Sequence, residues 1–489
     1  MKNNNTLHTK TLNGFMWSFI DLMANQGIQF IIMIILARLL VPEYFGLLGM
    51  VMIFVAISET LVDSGFSQAL IREKKVNRID YSTTFIFNMF FSLIIFLIIY
   101  FSAPVISNFY SEPKLISILR VISLTVFFQA ISIVPKTMLT RKVDFKSQTK
   151  VSVIASITSG LVAIAMALAG FGVWALVFRI VSQKAVESFM LIYIIRWKPI
   201  LEFSLESFHK YFTFGWKLLA SSLIDTIYKN IYYVIIGRVY STSDLGFYTN
   251  ARQVRDALNK GITSSIQRVT YPVLSSIKSE EIKLKYGFKK SLCLTAYVFF
   301  PVMLGIAAIS NNLIVLLMGS KWEPAILYFQ LLCIAALLFP IHAINLNVLK
   351  VKGRSDLFLR LEIIKKIMTT IAIVITIILD LGVASFIITT IITTHLGLFI
   401  NTYYSGKEIN YGTREQIKDM LPSYLLSFFM GGLVLLGGDF LNLSPLITIL
   451  LQITIGITIY ISFSKLLNLK EFNEILVLIK SLFRKVVRG

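Results

Sequence analysis

The chain has 489 residues, 56% of them hydrophobic and only 15% charged, with a mean hydropathy of +0.75. Soluble domains carry about 25% charged residues, so this composition excludes an ordinary soluble protein. The net charge of +21 does not indicate nucleic acid, because the basic residues fall in short clusters between hydrophobic segments.

The first ten residues, MKNNNTLHTK, are polar, and the apolar stretch after them is too long for the hydrophobic region of a cleaved signal. From there, apolar segments follow one another at about 14–38, 44–68, 82–106, 115–135, 148–169, 172–195, 213–237, 246–273, 287–309, 325–349, 359–379, 382–404, 421–438 and 445–464. A helix needs roughly 20 mostly apolar residues to cross a bilayer. Backbone groups in lipid must be paired inside the segment, so runs of this length mean helices, and the ten-residue alternation of a barrel is missing. The expected fold is an all-α integral membrane protein with about fourteen transmembrane helices. The segment at 246–273 is the least hydrophobic of them.

The connections alternate. VPEYFG at 41–46, SEPK at 111–114 and AGFG at 169–172 are short and poor in Lys and Arg. The connections after even-numbered spans are basic: Arg72 to Arg78, Lys136 to Lys150, Lys278 to Lys290 and Lys350 to Arg354. The positive-inside rule then places both termini and every basic loop in the cytoplasm. After Lys470, Phe472, Ile475, Leu476, Ile479, Leu482, Phe483 and Val486 repeat at helical spacing among lysines and arginines. This predicts a helix lying on the cytoplasmic leaflet.

An internal repeat is visible. Arg38 and Gly46 end the first span, and Arg238 and Gly246 end the seventh at the same spacing; Gly14 with Trp17 and Gly215 with Trp216 open the same two spans. Glu112-Pro113 and Glu323-Pro324 precede spans four and ten, which close on Leu139 to Lys142 and Leu349 to Lys352. The order suggests two six-helix lobes, residues 1–200 and 201–410, related by a pseudo-two-fold axis along the membrane normal. A C-terminal pair at 411–467 and the cytoplasmic tail at 468–489 follow. Repeated lobes around a central site suit alternating access; a duplicated scaffold without transport is the alternative.

Charges inside the spans are concentrated. Span one carries Asp21, Asn25 and Gln29 on one face, span two Glu59 and Asp63, and span seven Asp225 and Lys229. Span six adds Arg179, Gln183, Lys184 and Glu187. Span eight carries Arg252, Arg255, Asp256, Lys260 and Arg268. Ionisable groups in a span cost roughly 2.5–3.5 kcal/mol at its centre and therefore face a cavity or a partner. One reading is a hydrated cavity whose cations, Lys229, Arg252, Arg255, Lys260 and Arg268, receive a phosphate. Asp21, Asn25, Glu59, Asp63 and Asp225 are then candidates for ion coupling or gating. The other reading is snorkelling side chains and internal ion pairs, Asp225 with Lys229 and Arg252 with Asp256 among them. From Leu421 to Ser464 the only charge is Asp439, so the last pair of spans suits either a groove for a lipid tail or a lipid-facing addition.

Catalytic and cofactor signatures are lacking. No Walker A, GxSxG or HExxH pattern occurs, and His8, His209, His342 and His395 are dispersed. Cys293 and Cys333 fall in apolar segments, so neither disulfide nor metal chemistry is expected. The outer loops are short for a membrane glycosyltransferase or polymerase. No catalytic residue, metal or cofactor is expected.

Three stretches carry a family likeness: ARLLVPEYFGLLGMVMIFVAISETLVDSGFSQALIREK at 37–74, NFYSEPKLISILRVISLTVFFQAISIVPKTMLTRKVDF at 108–145, and GFGVWALVFR at 170–179. They resemble the Wzx/WzxC/TuaB-like polysaccharide flippases, of the polysaccharide transporter family in the multidrug/oligosaccharidyl-lipid/polysaccharide (MOP) exporter superfamily. The resemblance extends over the whole chain and implies a MATE/MOP-like architecture. It also implies a bacterial cytoplasmic membrane and movement of undecaprenyl-diphosphate-linked oligosaccharide to the outer leaflet for O-antigen, capsule or exopolysaccharide. Membrane lipids, a polysaccharide polymerase and a chain-length regulator are the implied partners. In related lipid II flippases spans one, two, seven and eight line the cavity and the last two shelter the tail, which carries over here by helix only. A drug/cation antiporter of the same superfamily and a repeat-unit polymerase are the competing readings.

Overall fold

The computed structural model describes residues 2–439, 443–477 and 480, with the side chains of 2–15, 18, 19, 260, 262, 265, 267–269, 355 and 439 left out. The described residues contain no strand. They divide into two compact units, 1–249 and 250–489.

The first unit holds α1 (Lys2–Leu39), α2 (Pro42–Asp63), α3 (Phe66–Arg72), α4 (Arg78–Tyr110), α5 (Leu115–Ile122), α6 (Thr125–Arg141), α7 (Phe145–Leu168), α8 (Val173–Ile195), α9 (Leu205–Val239) and the start of α10 (Thr242–Ser276). Local chemistry sets several starts. Pro42 opens α2, where its missing N–H costs nothing. Asn77 and Asp80 form a capping box on α4, Asp144 accepts from Ser147 on α7, and Ser204 accepts from Ser207 on α9. The predicted continuous span at 44–68 is interrupted at Ser64 and Gly65, both left-handed with φ of 48° and 71°. A Cβ on Gly65 would lie 2.4 Å from the Gly215 carbonyl oxygen, so the break lets two backbones touch. The fourth span also runs further than its apolar stretch: α5 and α6 together continue to Arg141, with Pro135 inside α6.

Lipid is as apolar as leucine, so helices in a membrane associate by close packing and polar contacts. In this unit α7 lies between α1 and α8, while α2 packs on α9 and α6. Gly160 of α7 receives Ile32 of α1. Phe66, Leu70 and Tyr211 are buried together with Phe87 and Phe208 around them. Arg141 donates to the carbonyls of Leu70 and Glu73 (2.6 Å to the latter), closing the otherwise open C-terminal end of α3.

The second unit continues α10 and adds α11 (Glu281–Ala308), α12 (Ser310–Met318), α13 (Ala325–Ala336), α14 (Phe339–Val351), α15 (Ser355–Leu379), α16 (Val383–Ile409), α17 (Thr413–Asp439) and α18 (Pro445–Leu466). Helix α11 packs on α17, α13 and α14, and α16 packs on α13, α14 and α15. A buried polar layer ties α14 to α16. Asn401, fully buried, donates to His342 Nδ1 at 2.8 Å, and Ser405 donates to Asn345. His342 Nε2 lies 3.2 Å from the Thr394 carbonyl oxygen, so the ring is held as the Nε2–H tautomer. At a connection, Arg354 grips Asp356 at 3.1 Å and also reaches Glu408; its guanidinium holds the Asp356 carboxyl below the usual range.

Residues 470–477 are helical. Phe472 and Ile475 pack against the cluster containing Tyr297, Tyr460 and Leu469, and Glu474 pairs with Lys290 at 3.0 Å. The start of the tail therefore uses part of its apolar face against the protein itself. Ile479, Leu482, Phe483 and Val486 lie outside the described residues.

Ten helices or helix pairs among the described residues are long and apolar enough to cross a membrane. The segments at 172–195, 213–237, 246–273 and 359–379 are helical too and fall outside that set.

Candidate functional site

A cavity of about 610 Å³ opens in the first unit. Helices α2, α3, α6 and α9 line it, with Glu59, Thr60 and Asp63 from α2 and Gln129, Ser132, Lys136 and Thr140 from α6. Ser222, Thr226, Lys229 and Asn230 come from α9. The i, i+3 and i+4 spacing on α6 puts its polar residues on one face. Thr60 and Thr226 hydrogen-bond at 3.0 Å and join α2 to α9 beside the cavity.

Ion pairs set the electrostatics. Glu59 Oε1 lies 2.8 Å from Lys184 Nζ, which also donates to Gln129 at 2.9 Å. Lys136 Nζ lies 2.8 Å from Glu187 Oε1. Asp63 accepts from Ser67, and Lys229 lies 3.5 Å from Asp225. The charged lining is thus balanced, with Glu59 and Asp63 against Lys136 and Lys229. The two lysines are its most open groups, with side chains 54% and 71% exposed. Each is held at the wall by a carboxylate, Lys136 by Glu187 and Lys229 by Asp225.

A second polar group lies within the same unit. Asn25 donates to Asp21 at 2.8 Å and to Ser152 at 2.7 Å, and accepts from Ser156 at 2.8 Å; Gln183 reaches Ser156 at 3.5 Å. Asp21 and Asn25 therefore sit in a network of α1, α7 and α8 and do not line the cavity.

The sequence-predicted cations are distributed as follows. Lys229 lines the cavity. Arg252 and Arg255 belong to the second unit, where both pair with Asp256, at 3.8 and 2.8 Å. The Arg255 side chain is 8% exposed and lies 5.6 Å from the Phe339 ring centroid. That is the environment of a structural ion pair. The side chains of Lys260 and Arg268 lie outside the described residues. Among the predicted acids, Glu59 and Asp63 line the cavity and Asp225 borders it through Lys229. Sequence reasoning missed the α6 face. Lys136 reads as one more basic-loop residue once the span is ended at 135, although Gln129, Ser132, Lys136 and Thr140 already share helical spacing.

The second unit has a different hollow. About 450 Å³ of apolar groove is lined by Val302, Gly305 and Ile306 of α11, Met430 and Val434 of α17, and Ile453, Gly456 and Ile457 of α18. Gly456 makes room beside Val434 and Met430. The volume of the groove is about three times that of an apolar cavity known to take up benzene, about 150 Å³.

The described residues form an all-helical array with membrane-length helices, a polar cavity in one unit and an apolar groove in the other, which is the architecture of a multi-pass membrane protein. The structure resembles that of the lipid II flippase MurJ in an inward closed conformation, with TM-score 0.72 and 17% identity over 93% of this chain and 98% of that one. It also resembles an inward-facing multidrug resistance MATE family transporter, with TM-score 0.62 and 16% identity over 78% and 95%. The chain belongs to the polysaccharide biosynthesis protein family, whose model matches residues 35–327. The teichuronic acid biosynthesis protein TuaB of Bacillus subtilis is 26% identical, over 71% of this chain and 72% of its own length. The lipopolysaccharide biosynthesis protein WzxC of Escherichia coli is 26% identical over 76% of each, and the succinoglycan biosynthesis transport protein ExoT of Rhizobium meliloti 24% over 65% of each.

Proposed function

We propose that this protein is a flippase that carries an undecaprenyl-diphosphate-linked oligosaccharide from the cytoplasmic to the outer leaflet of a bacterial cytoplasmic membrane. The carrying observation is the pairing, in one chain of a polysaccharide biosynthesis family, of a charged polar cavity with an apolar groove. An amphiphile with a polar, anionic head and a long hydrocarbon tail has those same two needs. Lys136 and Lys229 would meet the phosphates, and the hydroxyl and amide groups of α2, α6 and α9 would meet the sugars. Lys260 and Arg268 stay candidates for the same head group. The groove between α11, α17 and α18 would shelter the tail.

In this reading the chain crosses the membrane fourteen times with both ends in the cytoplasm, as the distribution of basic loops supports. Residues 1–200 and 201–410 act as the two lobes of an alternating-access cycle. Glu59, Asp63 and Asp225 at the cavity, and Asp21 and Asn25 in the network beside α7, are the candidates for coupling it to a cation or for gating. A polysaccharide polymerase and a chain-length regulator would consume the product. Loss of the protein should trap lipid-linked oligosaccharide on the cytoplasmic face and abolish the surface polysaccharide. Normal surface polysaccharide in a strain with no redundant transporter would overturn the reading.

One observation favours a second reading, a drug/cation antiporter. Glu59 and Asp63 balance the lysines of the lining, so charge alone does not reject a cationic substrate. Membership of the polysaccharide biosynthesis family and the apolar groove weigh for the flippase.

A further inference from the structure

The apolar groove of the second unit is bounded at one end by a pair of tyrosines. Tyr460 lines the groove, its hydroxyl donates to the Tyr297 carbonyl oxygen at 2.8 Å, and the two rings lie 5.1 Å apart. On α11 the lining begins at Pro301, about one helical turn past Tyr297. The start of the tail lies on the other side of this floor. Phe472 and Ile475 pack against the cluster that holds Tyr297, Tyr460, Met430 and Val434, and the last three also line the groove. Glu474 reaches Lys290, which precedes Tyr297 by about two turns of α11. Tail, tyrosines and groove therefore follow one another along α11.

A short turn places the tail there. Asn468 is left-handed with φ of 49°, and the Leu469 N–H donates to the Ser464 carbonyl oxygen at 3.0 Å, which ends α18 and turns the chain at Leu467–Leu469. The hold beyond the turn is light. The side chains of the Lys290–Glu474 pair are 42% and 36% exposed, and ion pairs that open contribute little. Leu476 and Val477 are exposed. A segment whose apolar residues are only partly covered by the protein gains the rest of that burial in a bilayer interface, so the protein and the membrane surface compete for it.

We propose that residues 470–477 are a releasable strap under the groove: docked, they brace the Tyr297–Tyr460 floor, and released onto the membrane surface they let the floor part, so that the groove lengthens toward the end at which α18 finishes. The strap rests on the flippase reading for its purpose. It goes beyond that reading because it makes the length of groove open to a hydrocarbon tail depend on where the C-terminal segment lies. A long tail occupying the floor and the docked strap then exclude each other, and each weakens the binding of the other by the same factor.

The test uses the purified full chain with Cys293→Ser and Cys333→Ser and one reporter, Ser464→Cys, which is fully buried in the last turn of α18. A water-soluble maleimide should label this parent slowly. Phe472→Ala should raise the rate about tenfold by removing an apolar anchor. Lys290→Glu and Glu474→Lys should each raise it about fivefold by setting like charges against each other, and the double variant should return it toward the parent rate. Lys283→Glu, whose partner is Glu280 at the start of α11, should leave it unchanged. Undecaprenyl phosphate should raise labelling of the parent several-fold, and geranyl phosphate should not. Unchanged labelling in Phe472→Ala and both charge variants would overturn the strap, as would a double variant as fast as the single ones or an equal rise in Lys283→Glu. No response to undecaprenyl phosphate would overturn its role toward the tail. If the cysteine-free chain fails to accumulate, trypsin cleavage after Lys470 in Lys290→Glu supplies the readout, and a rate equal to that of the unsubstituted chain overturns the strap equally. Neither labelling nor cleavage needs transport, so the strap is decided apart from the flippase reading, which export tests.

Discussion

Lys136 Nζ on α6 lies 2.8 Å from Glu187 Oε1 on α8, and the lysine half of this pair faces the cavity while the glutamate stands largely buried behind it. The pair holds an ammonium ready at the wall without leaving it uncompensated. A bound phosphate can take over part of the glutamate's role. Lys136→Ala should therefore lower export about tenfold or more, the loss expected from one charge-assisted hydrogen bond of about 1.5 kcal/mol. Lys136→Arg should keep most of it. Export of surface polysaccharide at equal protein level is the measurement, and wild-type export from Lys136→Ala would remove the residue from the site.

The Glu59–Lys184 pair calls for a different experiment. Both side chains are partly shielded, and Lys184 also holds Gln129. Removing one partner leaves the other charge facing low dielectric, whereas removing both does not. Glu59→Gln and Lys184→Met should each lower thermal stability in detergent, by about 1–2 kcal/mol. The double variant should be more stable than either single one. Additive losses would show that the two residues do not act as a pair.

Two of the sequence-predicted cations should behave oppositely. Arg255 is nearly buried, paired with Asp256 and set over Phe339. Arg255→Ala should lower stability by about 3 kcal/mol and reduce the amount of protein in the membrane. Lys229 is exposed to the cavity, and Lys229→Ala should lower export with accumulation unchanged. Quantitative immunoblotting beside polysaccharide export separates the two, and the converse pattern would reassign both residues.

The groove in the second unit should be sensitive to volume rather than charge. Gly456→Leu places a branched side chain beside Val434 and Met430 and fills part of the space lined by α11, α17 and α18. With a reconstituted protein, transport of a long-tailed polyprenyl substrate should fall about tenfold, while a short-tailed analogue should be transported nearly as before. An equal effect on both analogues would show that the groove does not serve the tail.

Much of the molecule was legible before its structure. Every predicted span falls on a helix or on consecutive helices, because lipid leaves the backbone no other way to satisfy its polar groups. The Arg38–Gly46 and Arg238–Gly246 repeat was visible as spacing, but its reason was not. Only the fold shows that Gly46 meets Thr242 and Gly246 meets Pro42. The break at Ser64 and Gly65 was hidden for the same reason, since one glycine in an apolar run signals nothing until Gly215 lies across it. Lys136 was misassigned because apolarity marks where a span is hydrophobic, and α6 continues past that point. Asp21 and Asn25 share one helix face, as their spacing predicts, and hydrogen-bond to each other. Their partners Ser152, Ser156 and Gln183 come from helices distant in sequence, which no periodicity connects.

The most direct measurement is flipping by the purified protein. Proteoliposomes would carry a polyprenyl-diphosphate-linked oligosaccharide, and a membrane-impermeant sugar-modifying reagent would report how much of it is reachable from outside. If the chain is a flippase, the reachable fraction rises past the outer-leaflet share toward all of the lipid, and Lys136→Ala slows the rise. If the reachable fraction stays at the outer-leaflet share with folded protein present under an imposed ion gradient or membrane potential, the chain does not flip this class of lipid.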